Sequence, residues 1–338
     1  MSKTGNGFYK SYKIIKRGVH GEPCEERMDI LIAIVLLVLG FVMLSKGADW
    51  FVDGAAGIAA RFGIPQLVIG LTIVAMGTSA PEAAVSINAA LTGNAGITIG
   101  NVVGSNILNV LVILGLTAVI TTIAVQKSTV RYEIPFMLLI TLVLTFLGVT
   151  GGEIVLWEGI LLWILFIVYL AYLFMMAKNG QGEEEEQQPK PLWLQIVMLV
   201  VGMVLIVLGS DFTVDNASKI ATVLGMDDRL IGLTIVAFGT SLPELVTSVT
   251  AAKKGKADIA IGNIVGSNIF NILFVVGTTA LITPVAFKMN FVIDFVISVL
   301  AGVLLWVGVF KEQKLKRPIG IVILIGYIAY FVYLLMFS

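Results

Sequence analysis

Long apolar segments separated by short polar stretches occupy most of this chain. The segments lie near residues 30–48, 66–91, 97–121, 133–150, 154–176, 192–210, 229–252, 257–283, 290–310 and 318–337. Each is long enough to cross a bilayer, which takes about 20 residues as a helix. The pattern therefore predicts ten membrane spans.

Composition agrees with a polytopic membrane protein. Of 338 residues, 58% are hydrophobic and 13% are charged, and the mean hydropathy is +0.98. The single cysteine, Cys24, and the single histidine, His20, argue against a disulfide within the chain and against soft or imidazole-based metal sites. The zero net charge, without a basic stripe, argues against a nucleic-acid partner. No obligate protein partner is evident from the sequence.

Two polar stretches divide the chain into four regions. Residues 1–29 lack the apolar core of a cleavable signal and are predicted to form a polar N-terminal tail. Residues 177–191, with Gly, Pro and four consecutive glutamates, are typical of a solvated acidic linker. Five predicted spans therefore fall in residues 30–176 and five in residues 192–338.

The two halves of the chain repeat each other at an offset of 162 residues. GLTIVAMGTSAPE at 70–82 returns as GLTIVAFGTSLPE at 232–244, and 27 of the 41 positions from Ile69 to Asn109 match their equivalents. Because each half has an odd number of spans, the second copy enters the bilayer from the opposite face. The predicted fold class is an all-α polytopic membrane protein whose ten transmembrane helices form two inverted five-helix repeats. Secondary transporters commonly have this architecture, with the site between the repeats near mid-membrane.

Lysine and arginine residues predict the orientation of the chain. Of 22, 13 fall in loops on the side of the 177–191 linker, 3 in loops on the opposite side and 6 in the N-terminal tail. The loops place the linker in the cytoplasm of a cell-membrane protein, whereas the tail favours the reverse. We base the predicted orientation on the loops.

Each repeated motif places a proline inside an apolar segment. Proline lacks an N–H and crowds the carbonyl four residues back, so Pro81 should free the carbonyl of Gly77, and Pro243 that of Gly239. In hydrocarbon such a carbonyl needs protein, water or a cation as its partner. The motif therefore predicts a broken helix with polar backbone at its centre.

A carboxylate follows each proline. Thr78 and Glu82 are four residues apart and are expected on one helix face, and Thr240 and Glu244 repeat the spacing. A charge near mid-bilayer costs roughly 3 kcal/mol on insertion scales and is a functional-site hypothesis by default. Apart from Arg229 at the first position of the 229–252 segment, no Lys, Arg or His lies in the same segments, so both glutamates require a counter-charge from outside, and a cation fits.

The third span of each half carries amide and hydroxyl side chains at positions i, i+4 and i+8. These are Asn101, Ser105 and Asn109 in the first half and Asn263, Ser267 and Asn271 in the second. Such a stripe either lines the site or joins neighbouring helices by hydrogen bonds. The glycines beside it are spaced for close helix packing, and they are Gly100, Gly104, Gly262 and Gly266.

The candidate ligands are all oxygen donors. Carboxylates, carbonyls, hydroxyls and amides suit Ca2+, Na+ or Mg2+ and not zinc or copper. A flexible, mixed set of oxygens favours Ca2+ over the strictly octahedral Mg2+, and two carboxylates match its charge. Any ion is then a transported substrate, and no cofactor is implied.

The paired motifs GTSAPE/GTSLPE and GNVVGSN/GNIVGSN resemble the two alpha repeats of the sodium/calcium exchanger family, within the cation/calcium antiporter superfamily. The resemblance covers nearly the whole chain after residue 29. It implies electrogenic exchange of about three Na+ for one Ca2+ by alternating access, without covalent chemistry. By matching position it implies that Ca2+ is coordinated by Glu82, Glu244, Thr78 and Thr240. Sodium would use these together with Ser105, Ser267, Asn109, Asn271 and the backbone carbonyls of Ala75 and Ala237.

Two differences from related exchangers indicate which counter-ion this chain uses. Potassium-dependent relatives carry an aspartate at the position of Asn271, and proton/calcium exchangers carry an acid after the Gly-Asn pair, which this chain lacks. The expectation is therefore a potassium-independent Na+/Ca2+ antiporter, with H+/Ca2+ exchange as the alternative. A channel is a further class, which discontinuous helices in inverted repeats disfavour. An enzyme is not expected, because Ser79 and Ser241 have no histidine to act as a base.

Overall fold

The computed structural model describes residues 23–179, 190–226 and 237–337. The first half contains α1 (Pro23–Phe62), α2 (Gln66–Thr78), α3 (Ala80–Leu91), α4 (Ile97–Ile120), α5 (Thr129–Gly151) and α6 (Leu156–Asn179). The second half contains α7 (Leu192–Val223), α8 (Ala237–Gly239), α9 (Leu242–Lys253), α10 (Ala257–Ile282), α11 (Phe291–Phe310) and α12 (Arg317–Phe337). The acidic run of the linker and most of the N-terminal tail lie outside the described residues.

Within the described ranges, eight helices are long and apolar enough to cross a membrane, and the bent pair α2–α3 brings the number to nine. The predicted span at 229–252 is represented only by α8 and α9, since the residues before α8 lie outside the described part. The multi-pass architecture is thus confirmed. The tenth span stays a prediction.

The first helix of each half is longer than the hydrophobic pattern predicted. The expected spans ended at residues 48 and 210, whereas α1 continues to Phe62 and α7 to Val223. Polar residues near an interface do not end a helix, and the chain turns only where Gly63 and Gly225 adopt positive φ. The two helices pack closely, because a Cβ on Gly47 would lie 2.8 Å from the carbonyl oxygen of Gly202.

Both proline motifs interrupt their helices, as the sequence predicted. The axis bends by 49° between α2 and α3, where Ser79 (φ −84°, ψ 7°) leaves helical geometry and Pro81 lies in the first turn of α3. In the second half Pro243 occupies the same place in α9. The carbonyl of Gly239 accepts a 2.7 Å hydrogen bond from Ser210 Oγ, so its partner is a protein hydroxyl.

Four two-residue strands, which the hydrophobic pattern did not predict, join loops of the two halves. The strands are β1 (Ile123–Ala124), β2 (Glu153–Ile154), β3 (Val285–Ala286) and β4 (Lys314–Leu315). Antiparallel pairing joins β1 to β4 and β2 to β3. Since α5 separates β1 from β2, the two pairs lie at opposite ends of the bundle.

The helices α4 and α10 form the centre of the molecule. Their most apolar windows are 78% and 94% buried, against 11% for α12, whose side chains face outward. Gly262 and Gly266 of α10 pack against the backbone of α2, and Gly100 of α4 packs against the ring of Phe291, as close-packing glycines should. For Gly104 close packing stays a prediction, because Leu233, the repeat equivalent of the Leu71 that Gly266 contacts, lies outside the described residues.

Candidate cation-binding site

Two buried carboxylates mark the candidate site. Glu82 and Glu244 are each 1% exposed, and each lies in the first turn of the helix that follows a proline break, α3 or α9. The unpaired N–H groups at a helix N-terminus favour negative charge at that position. The broken helices therefore place both carboxylates in the protein interior, at helix starts that help to stabilise their charge.

The hydroxyl groups interact with the carboxylate of the other repeat. Ser79 Oγ donates a 2.8 Å hydrogen bond to Glu244 Oε1, and the Thr78 side chain also interacts with Glu244. Thr240 interacts in turn with Glu82. The sequence did not predict these contacts, in which each threonine interacts with the carboxylate of the opposite repeat. The helix is interrupted at Ser79, between Thr78 and Glu82, and their common face stays a prediction.

Asn101 and Asn263 fix the α3–α4 and α9–α10 contacts in the same way. The Asn101 amide donates to the Glu82 carbonyl (3.1 Å) and to a serine hydroxyl, and the Asn263 amide donates to the Glu244 carbonyl (3.3 Å) and to the equivalent serine. The Asn263 Oδ1 atom accepts a 2.9 Å hydrogen bond from Thr78. For these two members of the polar stripe, the role in joining helices is confirmed.

A reciprocal pair of asparagines lies between α4 and α10. Asn106 Nδ2 donates to the Asn268 carbonyl, and Asn268 Nδ2 donates to the Asn106 carbonyl, both at 3.3 Å. Asn109 Nδ2 also donates to Asn268 Oδ1 (2.9 Å), and Asn271 Nδ2 to Asn106 Oδ1 (3.2 Å). Neither Asn106 nor Asn268 was among the predicted site residues. Both stand in the repeated GNVVGSN/GNIVGSN motif, but off the i, i+4 stripe.

The carbonyl of Ala75 joins the same polar region. It accepts hydrogen bonds from Thr78 Oγ1 (3.3 Å) and Ser267 Oγ (3.4 Å). Ser105 is buried at the equivalent position of α4. Of the second expected carbonyl, Ala237, the structure describes only the backbone, as the first residue of α8.

Among the carboxylate and amide side chains predicted to bind ions, four buried oxygens have no hydrogen-bond partner in the described part of the chain. They are Glu82 Oε2, Glu244 Oε2, Asn109 Oδ1 and Asn271 Oδ1. A buried acceptor without a donor costs about 1–3 kcal/mol, and more when it is charged. The ion pairs of the described part lie elsewhere, joining Lys254 to two aspartates and Lys316 to Glu312. These oxygens, two from each repeat, are suited to a hard cation.

The described residues also limit the kind of site. Within them no group of three or more His, Cys, Asp or Glu side chains could hold a metal ion. The buried carboxylates described in α3, α4, α9 and α10 are those of Glu82 and Glu244, and the other buried acceptors described there are neutral oxygens. Such a donor set fits Na+ and Ca2+ better than a transition metal.

Comparison with known proteins agrees with this donor set. The profile of the family described as "Sodium/calcium exchanger protein" matches residues 32–175 and 194–336. The sodium/calcium exchanger MaX1 of Methanosarcina acetivorans is 33% identical over 347 residues, which cover 90% of this chain and 99% of the relative. The inner membrane protein YrbG of Escherichia coli is 34% identical over 316 residues, which cover 89% of this chain and 96% of the relative.

The fold is similar to that of a solved exchanger. A structure of the sodium-calcium exchanger NCX_Mj, soaked with zero Na+ and Ca2+, superposes with a TM-score of 0.79 at 35% sequence identity. The match covers 90% of this chain and 99% of that one.

Proposed function

Since this chain belongs to the sodium/calcium exchanger family, we propose that it exchanges Na+ for Ca2+ across the membrane by alternating access. The family consists of transporters, and the chain is a multi-pass membrane antiporter, not an enzyme. We propose a stoichiometry of about three Na+ for one Ca2+, so that each cycle moves one net charge. The transported ions are the substrates, and no resident cofactor takes part.

The proposal rests on one observation. Two buried glutamate Oε2 atoms and two buried asparagine Oδ1 atoms, half from each repeat, have no hydrogen-bond donor among the described residues. An empty site leaves two uncompensated carboxylates in a low-dielectric interior, whereas a loaded site is close to neutral. Closing the site around an ion is therefore favoured over closing it empty. This difference couples the movement of one ion to that of the other.

The ligand assignment follows from the same geometry. We propose that Ca2+ binds Glu82, Glu244, Thr78 and Thr240, since each threonine already interacts with the opposite carboxylate. For Na+ we propose these residues together with Ser105, Ser267, Asn109, Asn271 and the carbonyls of Ala75 and Ala237. The contacts of the Ala75 carbonyl with Thr78 and Ser267 support one sodium position beside α2.

We also propose that ten spans form two inverted repeats, residues 30–176 and 192–338. The reciprocal hydrogen bonds of Asn106 and Asn268 support a two-fold relation between the halves. The strand pairs support inversion, because β1 and its repeat equivalent β3 lie at opposite ends of the bundle, each paired with a loop of the other half. A parallel repeat would place equivalent strands at the same end.

For the cellular arrangement we propose the cell membrane, with the linker at 177–191 in the cytoplasm. The linker itself lies outside the described residues. The excess of Lys and Arg in the loops on its side supports this orientation. Accessibility of a single cysteine placed in the linker of a Cys24→Ser protein would test it in intact cells.

The decisive experiment is 45Ca2+ uptake into proteoliposomes driven separately by a sodium gradient and by a pH gradient. We expect uptake with the sodium gradient and none with the pH gradient alone. Uptake driven only by protons would identify the H+/Ca2+ alternative, and flux without any counter-ion would indicate a channel.

Substitutions at the two carboxylates test the site itself. Glu82→Gln and Glu244→Gln each remove one of two charges at nearly constant volume, so uptake should be lost in a folded protein. Glu312→Gln, which removes an exposed carboxylate paired with Lys316, is the matched control and should transport normally. Wild-type uptake in either buried variant would overturn the assignment.

A further inference from the structure

A cavity lies on the outer side of the bundle, between α5 and α6 and away from the proposed ion site. Its volume is about 360 Å³. It is lined by Arg131, Tyr132, Glu133, Pro135, Phe136, Leu139, Val168, Tyr169 and Tyr172. Most of this lining is aromatic or aliphatic, so an occupant must present a large apolar surface.

One end of the cavity contains buried oxygen atoms that lack hydrogen-bond partners. Glu133 is 1% exposed, and its Oε1 atom accepts a hydrogen bond from the hydroxyl of Tyr172. The Thr129 side chain also interacts with Glu133. The Glu133 Oε2 atom and the hydroxyl oxygen of Tyr169, which is 4% exposed, make no hydrogen bond of normal geometry with the described residues. The ion exchange proposed above uses neither residue. A buried carboxylate oxygen without a donor requires a donor or a cation.

The other side of the cavity faces the membrane. Leu139 is 55% exposed and Val168 58% exposed, and both lie on helices that span the membrane. Arg131 is exposed close to the start of α5, with its guanidinium 5.7 Å from the ring centroid of Tyr132. Arginine and tyrosine at a helix end are typical of the headgroup level of a bilayer. The groove therefore runs from the headgroup region toward the acyl chains.

We propose that this groove binds a phospholipid whose headgroup carries a primary ammonium, such as phosphatidylethanolamine. The ammonium offers three N–H donors, of which Glu133 Oε2 and the Tyr169 hydroxyl accept two. Arg131 is placed to meet the phosphate, and an acyl chain lies along Leu139 and Val168. A quaternary ammonium has no N–H to donate, and an anionic glycerol headgroup places no positive charge on Glu133.

The test is native mass spectrometry of the intact protein titrated with three lipids that share the same acyl chains. These are phosphatidylethanolamine, phosphatidylcholine and phosphatidylglycerol. We expect the wild type to bind phosphatidylethanolamine at least about tenfold more tightly than the other two, the size of a charge-assisted hydrogen bond. Glu133→Gln should abolish this preference, and the control Glu312→Gln should keep it.

Tyr169→Phe provides a second variant that leaves the buried carboxylate in place. It removes only one acceptor, so the preference should fall several-fold but not vanish. The proposal is overturned if the wild type does not distinguish phosphatidylethanolamine from phosphatidylcholine, or if Glu133→Gln keeps the preference. It is also overturned if phosphatidylglycerol binds as tightly as phosphatidylethanolamine, because the groove would then recognise only the phosphate, through Arg131.

Discussion

Gly266 in α10 is the position where one added methyl group most directly tests the packing behind the ion site. A Cβ there would lie 2.8 Å from the Ala75 Cβ atom and 2.8 Å from both the Cα atom and the carbonyl oxygen of Leu71. Carbon atoms in contact prefer about 3.5–4.0 Å, so α2 would have to move by roughly 0.7–1.2 Å. Two of the three atoms belong to the backbone and cannot rotate away.

The magnitude follows from two opposing effects. Overpacking of a well-packed interior costs about 1–3 kcal/mol, and rigid backbone contacts favour the upper part of that range. Replacing glycine by alanine in a helix stabilises the folded state by about 1 kcal/mol. Gly266→Ala should therefore lower the free energy of unfolding by about 1–2 kcal/mol.

Thermal unfolding of purified Gly266→Ala and of the wild type at one fixed Ca2+ concentration measures this difference. Gly266→Ala should melt below the wild type. Moving α2 also moves the Ala75 carbonyl, which is 3.4 Å from Ser267 Oγ, so sodium-driven Ca2+ uptake should fall in Gly266→Ala. A melting temperature of Gly266→Ala equal to or above that of the wild type would refute the close packing of α2 on α10.

Three further predictions concern charge. Exchange of about three Na+ for one Ca2+ moves one net charge, so the rate of Ca2+ uptake should change when valinomycin and potassium clamp the vesicle potential. An uptake rate that does not depend on the potential would contradict the stoichiometry. Wild-type uptake should be equal with potassium or choline as the balancing ion, and Asn271→Asp should make uptake either potassium-stimulated or inhibited. A wild type that needs potassium would contradict the potassium-independent subtype. Lys254→Met removes ion pairs to Asp49 (3.1 Å) and Asp53 (2.9 Å). Because these groups are partly exposed, the free energy of unfolding should fall by at most about 1 kcal/mol, and this loss should vanish in 1 M salt. Lys253→Met is the control for the loss of one positive charge in the same turn, and a loss for Lys254→Met that salt does not affect would show that the pairs are not its cause.

Several features of the protein were determined by the sequence alone. Apolar runs report burial in lipid directly, so the spans that the structure describes were predictable, although not the full length of α1 and α7. Pro81 predicted the break in the second span because the missing N–H is a local property. The family also followed from the repeated motifs, since their residues are contiguous in the sequence.

Contacts between the halves were decided only by the tertiary structure. Helical periodicity related Thr78 to Glu82 of its own repeat, and only the fold shows that Thr78 interacts with Glu244 of the other repeat. The same holds for the bonds between Asn106 and Asn268, which join carbonyls and amides 162 residues apart. Spacing along one helix says which residues share a face, but not which face of another helix it meets. That choice depends on where small residues such as Gly266 let two backbones approach, and on which buried oxygens must then find a partner.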